Sequence, residues 1–446
     1  MATTNLSTLL GSTPTTHPWT NASASFTAVA KNSYQLVLSS SITVTLPASP
    51  NNGDYVRLLD YSQNSATYNV IINNNGHTIQ GISDTLTMNI NGISLELTYI
   101  TGQGWIITDT GNITAAPTAY GFRNLIINGD MKIAQRGTSG ALTSSAAYLS
   151  VDRWATLQTG TANGVLTQVS TGTPTGFQYA VKLGRNSGAT TTGNLVIQQA
   201  LETVNCIPLQ GQSVTLSFYA KAGANYSGGA FIAQLVTGTG TDQTASTIGS
   251  WTGNVYVVNT GVTLTTSWTR YIITGSISST ATQIGVALFW SPSGTAGADD
   301  NAYITGVQLE PGSSATPFEI RPFQSELALC QRYYQTSYDI GTAPGTNITS
   351  TGLGLIYSGE VNPTTGTYVP GTVTLKTTMR ADATARYWDA AGNLSKYSSY
   401  TGGGLARTDN VGVLYSIVPS MNSLIFTVLP GTGNFAAFAY DLSAEL

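Results

Sequence analysis

Charge is the scarcest commodity in this chain. Lysine, arginine, aspartate and glutamate together make up 9% of its 446 residues, against about 25% in an ordinary globular protein. The net charge of −4, with no cluster of basic residues, excludes the usual surface for nucleic acid, whose phosphates require grouped Lys and Arg. No apolar run approaches the ~18 residues of a membrane span. The N-terminus, MATTNLSTLLGSTPTT, lacks the basic start and apolar core of a signal peptide.

Histidine and cysteine are nearly absent as well. His17 and His77 are the two histidines, and neither falls in a metal-binding or acid–base spacing. Cys206 and Cys330 form no disulfide framework. There is no Walker loop, nucleophile elbow or CxxC, and the scattered carboxylates cannot be assigned as a glycosidase pair. The expectation is therefore a non-enzymatic protein without a cofactor, made in a reducing cytoplasm.

What the chain has in quantity is Gly, Thr and Ser, together with 41% hydrophobic residues, 23 Tyr and 7 Trp. A disordered chain lacks such aromatics, so an all-β protein with polar, uncharged surfaces fits. In residues 1–114 the segments SYQLVLS and SITVTLP alternate, and Asn-Gly pairs at 75–76 and 91–92 mark hairpin turns. The repeated NNNG hints at a solenoid rung, but no fixed period emerges, and a compact β-sandwich or barrel is expected. GNITAAPTAY at 111–120 reads as a linker.

Residues 120–322 carry the longest strands. In 214–222, Val214, Leu216, Phe218 and Ala220 share one face, and Thr215, Ser217, Tyr219 and Lys221 the other. That period-2 pattern predicts a strand with one face on a core, and eight to ten such strands predict a jelly roll of two packed sheets. RPFQSELALCQRYYQ at 321–335 is the one convincing helix, with Leu327, Cys330 and Tyr334 at helical spacing. From residue 323 to 446 this short helix and a third β-domain follow.

Four stretches, in this order, carry a family resemblance: NLIINGDMKIAQRG (124–137), DRW (152–154), LQGQSVTLSFYAKA (209–222) and GVQLEPGSSATPFEIRPFQSELALCQRYYQTSY (306–338). They resemble the tail fibre and receptor-binding proteins of tailed bacteriophages. VTLKTTMRADATARYWDAAGNLSKYS (373–398) is similar to the small distal β-domain of such proteins, and 34–108 to a module of phage structural proteins. The resemblance implies a homotrimer attached to other virion proteins by its N-terminal domain, a carbohydrate-binding-module-like jelly roll, and contact with host surface polysaccharide. Synthesis in the host cytoplasm and release by lysis agree with the missing signal peptide, so the expected location is the virion. A purely structural head, collar or baseplate fibre or decoration protein is the alternative, and a glycan depolymerase tailspike a third.

Candidate sites follow from that frame. Jelly-roll modules often hold Ca²⁺ between first and last strands, which implies Asn128 and Asp130 as ligands; the plainer reading is a turn ending a strand. The closing strand, ITGVQLE, offers Thr305 and Gly306 where such modules offer acids. Asp152-Arg153-Trp154 reads as scaffold. Sugar rings stack on aromatic faces, which points to Trp251, Tyr256, Trp268, Trp290 and Tyr226 in the middle segment. Tyr387, Trp388, Tyr397, Tyr400 and Tyr415 form a distal set, each against the reading of a core or trimer-contact ring. Leu327, Tyr333 and Tyr334 either cover the base of the jelly roll or meet at a trimer axis. Trp19 is expected as a virion-docking anchor.

Overall fold

The computed structural model describes residues 19–109, 123–160, 163–348, 355–357, 369–401, 406–412, 414, 416–428 and 435–446. The chain divides into two compact units, Met1–Ala119 and Tyr120–Leu446. The architecture is all-β, as its alternating segments require.

The first unit contains β1 (Trp19–Ala22), β2 (Phe26–Thr27), β3 (Asn32–Leu36), β4 (Ile42–Thr45), β5 (Tyr55–Asp60), β6 (Val70–Asn73), β7 (Leu86–Met88), β8 (Ser94–Ile100) and β9 (Gly104–Asp109). Alternation places Ile42 and Val44, Val56 and Leu58, and Leu95 and Leu97 inward, around a fully buried Trp105. Two sheets result, ordered β1-β3-β5-β8-β9 and β2-β4-β6-β7. The pairs β1–β3, β3–β5, β2–β4 and β4–β6 are parallel, so the chain winds in coils, dropping successive strands into opposite sheets. Trp19 pairs with Ser33 and Ser33 with Arg57, steps of 14 and 24 residues. That unevenness is why no period shows in the sequence. Asn75 and Gly76 both take positive φ, 48° and 85°, at one of the expected Asn-Gly turns.

The second unit begins with a sandwich of two six-stranded sheets. One sheet holds β10 (Ser139–Ala141), β13 (Gly164–Val169), β14 (Ala180–Arg185), β21 (Asn301–Pro311), β16 (Ser213–Ala222) and β19 (Thr269–Ser276) in that order. The other holds β11 (Ala147–Tyr148), β12 (Ala155–Gln158), β15 (Leu195–Ala200), β20 (Gln283–Trp290), β17 (Phe231–Gly238) and β18 (Val255–Val262). All neighbours are antiparallel. Val214, Leu216, Phe218 and Ala220 enter the shared core with Trp154, Phe231 and Trp290, while Tyr219 and Lys221 stay half-exposed on the outer face.

The predicted helix spans Phe323–Gln331, with Pro322 as its N-cap in an extended conformation, ψ 145°. Leu327 and Cys330 pack on Ile133. The chain then forms β22 (Tyr334–Thr336), β23 (Ile356–Tyr357), β24 (Val369–Thr374), β25 (Thr384–Trp388), β26 (Tyr397–Thr401), β27 (Ala406–Gly412), β28 (Ser416–Pro419), β29 (Ser423–Val428) and β30 (Phe435–Ser443). β30 is the hub, pairing with β22, β23, β25 and β26. This segment belongs to the same compact unit as the sandwich. The carboxylate of Glu445 pairs with Arg136, at 3.0 Å, and with Arg153, and the Tyr148 hydroxyl donates to the Leu446 carbonyl at 2.9 Å.

Candidate functional site

Most aromatic residues singled out in the sequence lie inside the protein. Trp290 is fully buried against Tyr226, ring centroids 4.5 Å apart, with its Nε1 donating to the Leu183 carbonyl at 3.2 Å. Trp251 is buried and donates to the Thr244 carbonyl at 3.0 Å. Tyr387, Trp388, Tyr397 and Tyr400 are buried as well. The Tyr387 hydroxyl accepts from the Leu414 amide, and Trp388 meets Tyr338 edge-on at 6.2 Å. A sugar needs an open ring face, so these six are corrected from glycan contacts to core residues; Tyr415 lies outside the described residues. Tyr256 is exposed and Trp268 half-exposed.

The calcium expectation fails on chemistry. Asn128 is fully buried in a left-handed conformation, φ 59°. Its Nδ2 donates to the carbonyls of Ile133 and Asp152, at 2.8 and 3.0 Å, and its Oδ1 accepts from the Ile133 amide at 2.9 Å. The Asn128 side-chain oxygen is thus already used, and Asp130 Oδ2 pairs with Lys132 at 2.9 Å. Asp130 Oδ1 alone is left without a partner, too few oxygens for a Ca²⁺ shell of about six to eight. The residues do not fit Ca²⁺, and among the described residues no group of three or more His, Cys, Asp or Glu gathers at one point.

Leu327, Tyr333 and Tyr334 are likewise buried within one chain, which corrects their assignment to a trimer interface. Tyr333 lies under the Arg153 guanidinium at 3.5 Å and donates to Glu202. Tyr334 lies under Arg136 at 3.5 Å and donates to Asp441 at 2.9 Å. They cover the base of the sandwich. Asp152, Arg153 and Trp154 are buried beside them. Burial pushes the Asp152 carboxyl up to about 6, with Arg136 and Gln135 pulling the other way. Trp19 stands at the edge of its sheet, 42% exposed.

The open site is elsewhere. Two adjoining clefts, of about 400 Å³ and 280 Å³, share Lys132, Tyr179 and Phe323. Phe177, Phe318, Ile320, Gln178 and Asp130 line the smaller; Thr138, Gln168, Ile340 and Gly341 help line the larger. Phe177, Tyr179 and Phe318 are half-exposed and Phe323 is 42% exposed, so aromatic surface faces solvent here. Local structure holds these groups in place. Met131 takes φ 60°, its carbonyl accepts from Gln168 Nε2 at 2.6 Å, and Lys132 Nζ donates to the Arg321 carbonyl at 2.7 Å. Phe177 packs between Tyr219 and Phe318, centroids 5.2 and 5.1 Å away. Gly306, at φ 60°, has no room for a Cβ, which would meet the Phe177 ring at 2.6 Å. The surface thus combines apolar ring faces with a few fixed polar groups, the chemistry of a small-molecule or sugar site. Sequence reasoning missed it; the signal was the aromatic density of GFQY (176–179) and PFEIRPF (317–323) beside turn residues.

No family model matches the chain, and no curated protein sequence matches it significantly. Solved structures do. A CBM4 module aligns with 42% of this chain and 98% of its own length, at 14% identity and TM-score 0.25. The CBM22-1 xylan-binding domain from Paenibacillus barcinonensis aligns with 40% and 99%, at 12% and 0.25. The enzymatically active domain of tailspike protein 4 of bacteriophage CBA120 aligns with 66% of this chain and 38% of its own, at 14% and 0.29. The reading of fold and site rests on the chain's own geometry.

Proposed function

We propose that this protein is a non-enzymatic glycan-binding component of a phage virion, a tail fibre that holds host surface polysaccharide in the Tyr179–Phe323 cleft. The carrying observation is the cleft itself: four exposed or half-exposed rings beside Asp130, Lys132, Gln168 and Gln178. Ring faces take the apolar side of a sugar, and the polar groups take its hydroxyls. Among the described residues Asp130 is the one carboxylate lining either cleft, and its Oδ2 is paired to Lys132. Glycoside hydrolysis by the common route needs two free carboxyl groups, which supports binding without cleavage.

The fibre reading draws support from the phage-like stretches NLIINGD, DRW and GVQLEPGSS. A trimer would multiply a modest site by avidity, through surfaces other than Leu327, Tyr333 and Tyr334. A purely structural place in the head, collar or baseplate is the second reading, favoured by the burial of the distal rings. Titrating the full chain with host polysaccharide separates them. Tyr179→Ala or Phe323→Ala is expected to weaken binding about five- to tenfold, the worth of ~1 kcal/mol of apolar contact. Wild-type protein that binds no host glycan, or variants that bind as wild type does, would refute the cleft assignment; shortened polysaccharide chains would overturn its non-enzymatic character.

A further inference from the structure

Three basic side chains on the outer face of the sandwich lie outside the cleft. On the outer face of the first sheet, Lys182 on β14 lies directly opposite Tyr303 on β21, and Tyr303 opposite Lys221 on β16. The next row places Thr305, Tyr219 and Arg270 side by side across β21, β16 and β19. Inward neighbours Val181, Ala220, Ile304 and Ala302 belong to the core, so alternation turns these six side chains to the outer face. There Thr305 is buried with its hydroxyl on the Tyr179 carbonyl at 2.7 Å and Phe177 covers Tyr219, leaving Lys182, Tyr303, Lys221 and Arg270 partly exposed. Trp268, just before β19, completes the platform: its ring meets Tyr303 edge-on at 6.4 Å. Lys221 Nζ stands 4.9 Å from the Tyr303 ring and 5.3 Å from the Trp268 ring.

The arrangement is held in advance. The Gly172 carbonyl accepts from Trp268 Nε1 at 2.7 Å and from Lys221 Nζ at 3.3 Å, so one backbone group fixes both the ring and the cation. Gly172 takes φ 65°, a conformation that glycine supplies without strain. The Tyr303 hydroxyl donates to Asp299 at 2.8 Å, which orients that ring. Asp299 also accepts from Ala224 and Asn301; these bonds outweigh burial and keep its carboxyl below the usual range. Among the described residues the face therefore carries three cations against one nearby anion. In a chain with 17 basic residues among 446, composition alone does not bring three to two adjoining cross-strand rows.

We infer that this face is a second binding surface, for an acidic polysaccharide whose carboxylates meet Lys182, Lys221 and Arg270 while its rings lie on Trp268 and Tyr303. Lys182 and Lys221 sit two strands apart, about 10 Å between backbones, which suits charges repeated along a polymer better than a single small anion. Cation and ring alternate, so charge selects the polymer and stacking holds it. The inference is independent of the cleft.

The test titrates the full chain with polygalacturonate, with neutral laminarin and with single-stranded oligothymidylate, at low and high salt. Polygalacturonate is expected to bind most tightly and to weaken with salt, because exposed charges are screened. Lys221→Gln should weaken it about tenfold, the lower end of a hydrogen bond to a charged group, and Lys221→Arg should restore it. Thermal unfolding of each variant confirms that it folds. Wild-type protein that ignores polygalacturonate, binds laminarin equally well or prefers oligothymidylate overturns the inference. So does a folded Lys221→Gln variant that binds as wild type does.

Discussion

Asn128 offers the sharpest test of how the second unit is built. Replacing it with alanine removes three buried hydrogen bonds, to the Ile133 amide and to the carbonyls of Ile133 and Asp152. At ~1 kcal/mol net for each, this costs about 3 kcal/mol. Alanine must also adopt φ 59°, where its Cβ meets the following carbonyl at a further cost of about 1 kcal/mol. The expected loss is about 4 kcal/mol, large against the 5–15 kcal/mol that holds a typical domain. Urea unfolding followed by tryptophan fluorescence reads it, helped by Trp154, whose Nε1 donates to the Asn128 carbonyl at 3.0 Å. Asn128→Asp separates this account from an ion site. Aspartate keeps the acceptor for Ile133 but loses both donors and sets a negative charge against two carbonyl oxygens, so it too should destabilise, with or without calcium. A loss below ~1 kcal/mol for Asn128→Ala would refute the reasoning. So would an Asn128→Asp protein whose unfolding midpoint rises on adding calcium.

Two further outcomes follow from the buried polar groups. Burial pushes Glu202 up, but hydrogen bonds from Arg332 and Tyr333 outweigh it and hold the carboxyl below its ordinary 4.5. The unfolded chain then takes up protons first as the solution is acidified. The stability from this group is complete above pH ~4.5 and is lost as pH falls through its lowered value; Glu202→Gln should flatten that part of the curve, and identical acid limbs would count against it. Cys206 is pushed up to about 12 by burial and Cys330 well above its ordinary value, so both thiols should resist alkylation in the folded protein and react on unfolding, as mass spectrometry would show; rapid labelling of the native chain would contradict their placement.

Legibility in the sequence followed the range of the interaction. The strand at 214–222 could be read because its alternation is local, and its inward residues are those the period picks out. The helix could be read from Leu327 and Cys330, although its stripe runs on to Tyr334, which lies in β22. The parallel winding of β1 to β6 left no fixed period beyond the NNNG hint, since coils of unequal length erase it. Exposure was the least legible property. Trp290 and Trp388 sit near loops in the sequence, yet strands distant in the chain close over them. The cleft draws on segments near 130–138, 168–179, 318–323 and 340–341, and no local pattern announces a meeting of that kind.

β30 also sets an order of events in time. It is the partner of β22, β25 and β26, yet about one hundred residues separate it from β22. At ~5–20 residues per second, a ribosome takes roughly 5 to 20 s to deliver it after β22 has emerged. During that interval the sandwich strands, β10 to β21, already have all their partners, while the segment beyond them waits with open strand edges. The nascent chain is thus most exposed to pairing with its neighbours on a polysome just before β30 appears, and a stall in that window would yield aggregated chains whose sandwich is intact.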